Sequence, residues 1–208
     1  MMRLGHYASA TPVALGLLEC SFLMHAPAMV MLAAPPVVVW TSTWNDLDHP
    51  RFKGHMHPGA ALVRGTGHLG YRLFRTDKDK TRGDVHRGPS HCLEWCVLVG
   101  LLVAVVLSLM PPIAGMALWF GTAVMLGTAS HVLADSLTPS GVPLSAVYNY
   151  LRYREVWRRH TVGLFSTNSA AERFYVVTVL FLLSGVICLA MLGLLTPIVS
   201  AMFTLSGR

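Results

Sequence analysis

Histidine and aspartate gather in short clusters in this chain, each set against an apolar run, and these clusters are where chemistry could be done. The stretch "WNDLDHP", Trp44 to Pro50, places Asp46, Asp48 and His49 within four positions soon after "MVMLAAPPVVVW". "HRGPSH" supplies His86 and His91 just ahead of a second apolar run, and "SHVLAD" supplies His131 and Asp135 at the end of a third. His6 opens the first apolar stretch of the chain. Imidazole and carboxylate together suit Zn²⁺, Mn²⁺ or Fe²⁺, with no thiolate required. A divalent ion lowers the pKa of bound water and stabilises charge on a phosphoryl or carbonyl oxygen. The six or seven candidates exceed the four ligands of a structural zinc, which leaves room for two ions sharing a carboxylate.

Each cluster also has a plain structural explanation. His131 and Asp135 are i and i+4, so a helix puts them on one face. They could be a hydrogen-bonded pair at a helix end, or metal ligands, or a ligand with its supporting carboxylate. In "HRGPSH", Ser90 is expected to cap the following helix while Gly88-Pro89 makes the turn. Asn45 and Asp46 could serve only to turn the chain into Pro50. Glu94, three residues after His91, could share its helical face or simply favour the positive end of a helix dipole. Ser169 and Glu172 in "TNSAAER" form an S-x-x-E capping box ahead of the last apolar run. Arg173 beside them could face an anionic substrate or headgroup. His49, His55, His57 and His68 fall in a long basic stretch, where solvated side chains are the default. His25 and His160 have no identifiable partner in the sequence.

Composition makes membrane helices the elements that must position these residues. The chain of 208 residues is 53% hydrophobic and only 12% charged, whereas soluble domains carry roughly 25% charged residues. With a mean hydropathy of +0.53, much of its apolar surface must be covered by lipid. Residues 95–110 and 113–134 are apolar runs separated by the breaker pair Pro111-Pro112. Residues 174–195 come close to the roughly 20 needed to cross a bilayer. Residues 27–44 are interrupted by Pro35-Pro36, which suggests a kinked or re-entrant helix, and residues 10–24 are weaker, with Glu19 inside. A signal peptide, with Arg3 as its basic end and Ala26-Pro27-Ala28 as cleavage site, is disfavoured by Glu19 and His25 within its apolar part.

Basic residues gather in 51–87 and 152–173, with Arg3 near the start. The positive-inside rule puts all of these on the cytoplasmic side. The chain then runs as hairpin, basic loop, hairpin, basic loop and last span, and its histidines and carboxylates converge at the cytoplasmic face. The net charge of +6 could instead signal nucleic acid. Attraction to anionic headgroups accounts for it equally well beside a membrane, and no nucleic-acid recognition motif accompanies it. Nucleic acid is therefore not an expected partner. Cys20, Cys92, Cys96 and Cys188 form no C-x-x-C pair and read as small buried hydrophobes.

The ordered set Gly5-His6, "NDLDHP", "HRGPSH", "SHVLADSLTPSGVPL" and "NSAAER" resembles the YdjM-type family. These are inner-membrane proteins assigned as metal-dependent hydrolases and sometimes named for LexA binding. The family pattern runs from an early histidine through P-D-x-D-H, H-R-G-x-T-H-S and S-H-x-x-x-D-x-x-T-x-x-G-V to a late E-R. Here Asn45 stands for the usual proline, Cys92 for the usual serine, and Pro89 for a small or aromatic residue; none of these changes removes a presumed ligand. The resemblance implies His6, Asp46, Asp48, His86, His91, His131 and Asp135 as metal ligands, and a distant relationship to helical zinc-dependent phospholipases C.

The expected protein is therefore all-α: a polytopic membrane helix bundle of about four to five transmembrane or re-entrant helices. It forms a single domain over 1–208, with one long basic cytoplasmic loop at about 51–92. The expected function is metal-dependent hydrolysis of a phosphoester, which could be a lipid, at the cytoplasmic face of the inner membrane. Zinc is the first choice of ion, with manganese or iron as alternatives. Asp48 would act in catalysis, with Arg87 or Arg173 offsetting charge on the substrate. The alternative is a non-catalytic membrane anchor that binds a cytoplasmic protein such as a LexA-type repressor. An ion or proton carrier is disfavoured, because the polar residues cluster at one face instead of continuing through the spans.

Overall fold

The structure is a computed structural model and describes residues 3–48, 63, 65, 88–153, 161–191 and 193. Seven α-helices account for most of these residues, and no strand occurs among them. The first hairpin joins α1 (Arg3–Leu23) to α2 (Ala28–Thr41). α1 starts earlier than the apolar run at 10–24, and Pro12 lies inside it without ending it. Pro35 and Pro36 likewise sit within a continuous α2. Their missing N–H groups are tolerated because the helix is held by packing on its neighbours.

The turn between α1 and α2 is built by His25. Its backbone is left-handed (φ 52°). Ala26 N–H bonds back to the Ser21 carbonyl and His25 N–H to that of Phe22. This is the Schellman closure that usually uses glycine. His25 is exposed, so it is a chain-reversal residue placed where a side chain costs energy. His25→Gly is expected to raise stability by about 1 kcal/mol, read as a higher melting temperature of the detergent-purified protein.

The second hairpin joins α3 (Leu93–Ser108) to α4 (Ala117–Ser136) across the Pro111-Pro112 turn and a 3₁₀ turn at Ala114–Met116. α4 is the central helix and packs against α1, α2 and α3. Small residues allow this. A Cβ on Gly100 would lie 2.7 Å from the Gly121 carbonyl oxygen, and one on Gly121 would lie 2.6 Å from that of Gly100. One core cluster, rich in alanine, lies between α1, α2 and α4, with Ala10, Ala14, Val30, Ala34, Val38 and Ala123. The other joins Trp44, Leu47, Trp95, Val99, Val124 and Val132, and includes Val63.

α5 (Ala146–Tyr153) starts on a cap supplied from another helix. The Glu94 carboxylate accepts from the N–H groups of Ala146 (3.1 Å) and Val147 (3.4 Å) and from the Ser145 hydroxyl. Glu94 therefore serves a helix end distant in sequence instead of sharing a face with His91. The last helical stretch comprises α6 (Ala170–Val177), a π segment (Thr178–Leu183) and α7 (Ser184–Met191). Its start is capped by Ser169 as expected, with Ser169 Oγ accepting from Glu172 N–H at 3.1 Å, but the Glu172 carboxylate accepts from the N–H of Asn168, one residue before the cap.

The helical stretch Ala114–Ser136, 23 residues with a mean hydropathy of 1.4, is long and apolar enough on its own to cross a membrane. α2 and α3 are apolar but shorter, at 14 and 16 residues. The expected run at 174–195 is described as helix only to Met191 and is divided by the π segment.

Candidate metal centre

Four segments far apart in sequence bring polar side chains to one place. α4 contributes His131 and Asp135 from one face near its C-terminus. The chain leaving α2 passes through Ser42 and Trp44 into a single 3₁₀ turn, Asn45–Asp48, which presents Asp46. A second 3₁₀ turn, Pro89–His91, presents His91 just ahead of α3. The first turn of α1 presents His6. His6, His91, His131 and Asp135 are fully buried, while the Asp46 side chain keeps 22% of its surface open.

The separations are regular. Asp135 Oδ2 lies 3.6 Å from His131 Nε2 and 3.9 Å from His91 Nε2, and Asp135 Oδ1 lies 3.7 Å from His6 Nε2. Asp46 Oδ1 is 3.6 Å from His131 Nε2, and its Oδ2 is 3.8 Å from His6 Nε2. The His6 and His131 rings stack at 3.8 Å with 11° between planes, and His91 meets His131 edge-on at 5.1 Å.

These gaps exceed the range of hydrogen bonds, about 2.7–3.2 Å. His131 and Asp135 are therefore not a bonded pair closing a helix end. Ligands around a common ion would be spaced similarly: bonds of about 2.1 Å give a tetrahedron with edges of about 3.4 Å. One donor atom each from Asp46, His91, His131 and Asp135 lies within 4.8 Å of the others.

One proton of His131 is placed by its neighbour. Its Nδ1 lies 2.7 Å from the Ser42 carbonyl oxygen, which can only accept. Nδ1 therefore carries a proton, and in the neutral imidazole it is the Nε2 lone pair that faces the carboxylates. Among the described residues no hydrogen bond reaches that Nε2, and a buried polar atom left so costs about 1–3 kcal/mol. Two carboxylates gathered in one buried site also need positive charge. A divalent ion meets both needs, so the residues present fit one. The donors do not identify the metal.

Cysteine takes no part. Cys92 and Cys96 are buried outside the cluster, and burial pushes the Cys92 thiol well above its ordinary value, which keeps it protonated and a poor ligand.

Of the expected ligands, His6, Asp46, His91, His131 and Asp135 come together. The Asp48 backbone closes the 3₁₀ turn, but its side chain, like His86 and Arg87, lies outside the described residues. So do His49, His55, His57, His68 and His160. Arg173 is exposed on α6, and among the described residues no ion pair joins it to the cluster. Its helix is tied to α1 by Ser9 Oγ and Tyr175 Oη, 3.0 Å apart and near His6 in sequence.

Ser90 departs from expectation. The residue preceding α3 is Cys92, and the Ser90 hydroxyl instead lies 3.1 Å from His91 Nδ1. The sequence also understated Asn45, which is fully buried. Its Nδ2 donates to the Ser90 carbonyl at 2.9 Å and reaches that of Thr128 at 3.5 Å. Asn45 thus ties the turns that carry Asp46 and His91 to α4. Its replacement of the proline common in the resembling family was the one available signal, because a side-chain amide can donate where proline cannot.

A family model described as YdjM inner membrane protein matches residues 1–195. No curated protein and no solved structure matches the chain.

Proposed function

The chain belongs to the YdjM inner membrane protein family, and we propose that it is a multi-pass membrane protein that hydrolyses a phosphoester with a divalent ion held in the buried cluster. The observation that carries this is the placement of His131, whose Nδ1 is anchored on the Ser42 carbonyl while its Nε2 faces one oxygen each of Asp46 and Asp135 at 3.6 Å. An ion there would lower the pKa of a coordinated water and stabilise charge on a phosphoryl oxygen. His91, His131 and Asp135 would hold it from the buried side. Asp46, the one cluster residue still open to solvent, marks the side from which substrate and water would enter. Zinc suits the imidazole and carboxylate donors, and so do manganese and iron.

Topology supports work at one membrane face. In a chain of antiparallel helices, the starts of α1 and α3 and the ends of α2 and α4 lie on the same side. His6, His91, Asp46 and His131–Asp135 occupy those four positions. The basic stretch 51–87 follows Asp46 closely in sequence, and under the positive-inside rule this favours the cytoplasmic side for that face. α3 turns Val97, Leu98, Leu101 and Val105 outward, as a lipid-facing helix does. Arg87 and Arg173 would draw an anionic substrate toward this face, and Asp48 would assist catalysis beside Asp46.

The test is turnover by the detergent-purified protein on a panel of phosphoesters, including bis-p-nitrophenyl phosphate and phosphatidic acid. Hydrolysis should be abolished by EDTA and restored by zinc or manganese. The same chelation should lower the melting temperature, since an ion at 100 times its Kd stabilises by about 2.7 kcal/mol. No turnover across the panel with any of these ions, in a folded protein, would remove the hydrolase proposal and favour an anchoring role.

A further inference from the structure

The two carboxylates of the cluster divide their oxygens in the same way. Asp46 gives Oδ1 to His131 and Oδ2 to His6, at 3.6 and 3.8 Å. Asp135 gives Oδ2 to His131 and His91, at 3.6 and 3.9 Å, and Oδ1 to His6 at 3.7 Å. One oxygen of each thus faces His131, that of Asp135 also His91, and the other oxygen of each faces His6. The four-residue ligand group contains Asp46, His91, His131 and Asp135 and leaves His6 outside. A site for a single ion accounts for the first set of oxygens but gives no reason for both second oxygens to meet at one further imidazole nitrogen.

We propose that the cluster is built for two divalent ions bridged by Asp46 and Asp135, the second held by His6 Nε2 with Asp46 Oδ2 and Asp135 Oδ1. This rests on reading the cluster as a metal centre and deepens it. The stacked rings supply the spacing. His6 and His131 lie nearly parallel, 3.8 Å apart, each with its Nε2 toward the carboxylates. Ions on two such parallel imidazoles would lie about as far apart as the rings, and paired catalytic ions sit about 3.5–4 Å apart. The His6 gaps are longer than hydrogen bonds, as the His131 gaps are.

Charge then defines the ligand class. One divalent ion and two carboxylates cancel, whereas two ions leave a net positive site that recruits an anion with two oxygens to offer. A phosphoester, which can place one non-bridging oxygen near each ion, fits that better than a neutral ester or amide. Two-ion sites stabilise the attacking and leaving oxygens of a displacement together.

The test is manganese titration of the full-length protein in detergent, read by bound metal per chain and by electron paramagnetic resonance. The expected result is two Mn²⁺ per chain with an exchange-coupled spectrum. His6→Ala should bind one and give the six-line signal of an isolated ion, and His6→Gln provides the same comparison should the alanine variant misfold. One ion per chain in the wild type, with an uncoupled spectrum, overturns the second site and leaves the first intact. No bound ion in a folded wild type overturns both.

Discussion

Asp135→Asn is expected to weaken divalent-metal binding at least about 100-fold, beyond the usual effect of losing a supporting contact, and to reduce hydrolysis in proportion. Among the described residues, Asp135 is the carboxylate that faces all three imidazoles, with His6, His91 and His131 at 3.7, 3.9 and 3.6 Å. It is also fully buried, so no water can replace its charge cheaply. The amide has nearly the same shape but no charge, which separates the electrostatic role from packing. Stability should change sign with metal. In EDTA the variant lacks one of two adjoining carboxylates, the buried one, and should melt no lower than wild type. With zinc present, wild type should melt higher, by the binding energy the variant has lost. Melting curves with and without metal read this crossing directly.

Gly127→Ala is expected to destabilise the fold by about 1–3 kcal/mol through overpacking, although alanine normally improves a helix by about 1 kcal/mol over glycine. A Cβ at this position would overlap Thr41 Oγ1 and the Val38 carbonyl. Neither can swing aside, since one is backbone and the other is bonded to the Val37 carbonyl at 2.8 Å. α2 would have to move, and with it the Ser42 carbonyl that orients His131 and the turn that carries Asp46. Metal affinity should therefore fall together with stability. Gly16→Ala is the control: its Cβ would meet nothing within 4 Å, so it should leave metal binding unchanged and stability equal or higher. Thermal melts and metal titrations on the two variants distinguish a packing contact from a general effect of removing glycine.

Much of this arrangement could be read from local sequence. The i, i+4 spacing of His131 and Asp135 and the Ser169–Glu172 capping box are local features, and local features survive folding unchanged. The shared face of His6, Asp46, His91 and Asp135 follows from alternating chain direction, which Pro111-Pro112 and the basic stretches punctuate. What could not be read depends on contacts between distant segments. Glu94 caps α5 from 51 residues or more away, so no pattern around it reveals the role. Asn45 looked like a turn residue because its partners, the Ser90 and Thr128 carbonyls, lie 45 and 83 residues away. Ser90 had the right type for a cap but falls two residues short of that position, and its hydroxyl went to the imidazole beside it. Pro35-Pro36 suggested a kinked or re-entrant segment, and α2 runs through both as one helix. The division of carboxylate oxygens between His6 and His131 is geometry alone, invisible in any spacing.

The central claim is that the buried cluster holds a divalent ion. It is tested most directly by elemental analysis of the protein purified in detergent without chelator, beside His131→Ala. Stoichiometric zinc, manganese or iron is expected in the wild type, with loss of that metal in the variant while circular dichroism shows the same helical content. A folded wild type that carries none of these metals, even after incubation with each, would contradict the account, as would a His131→Ala variant that retains its metal in full.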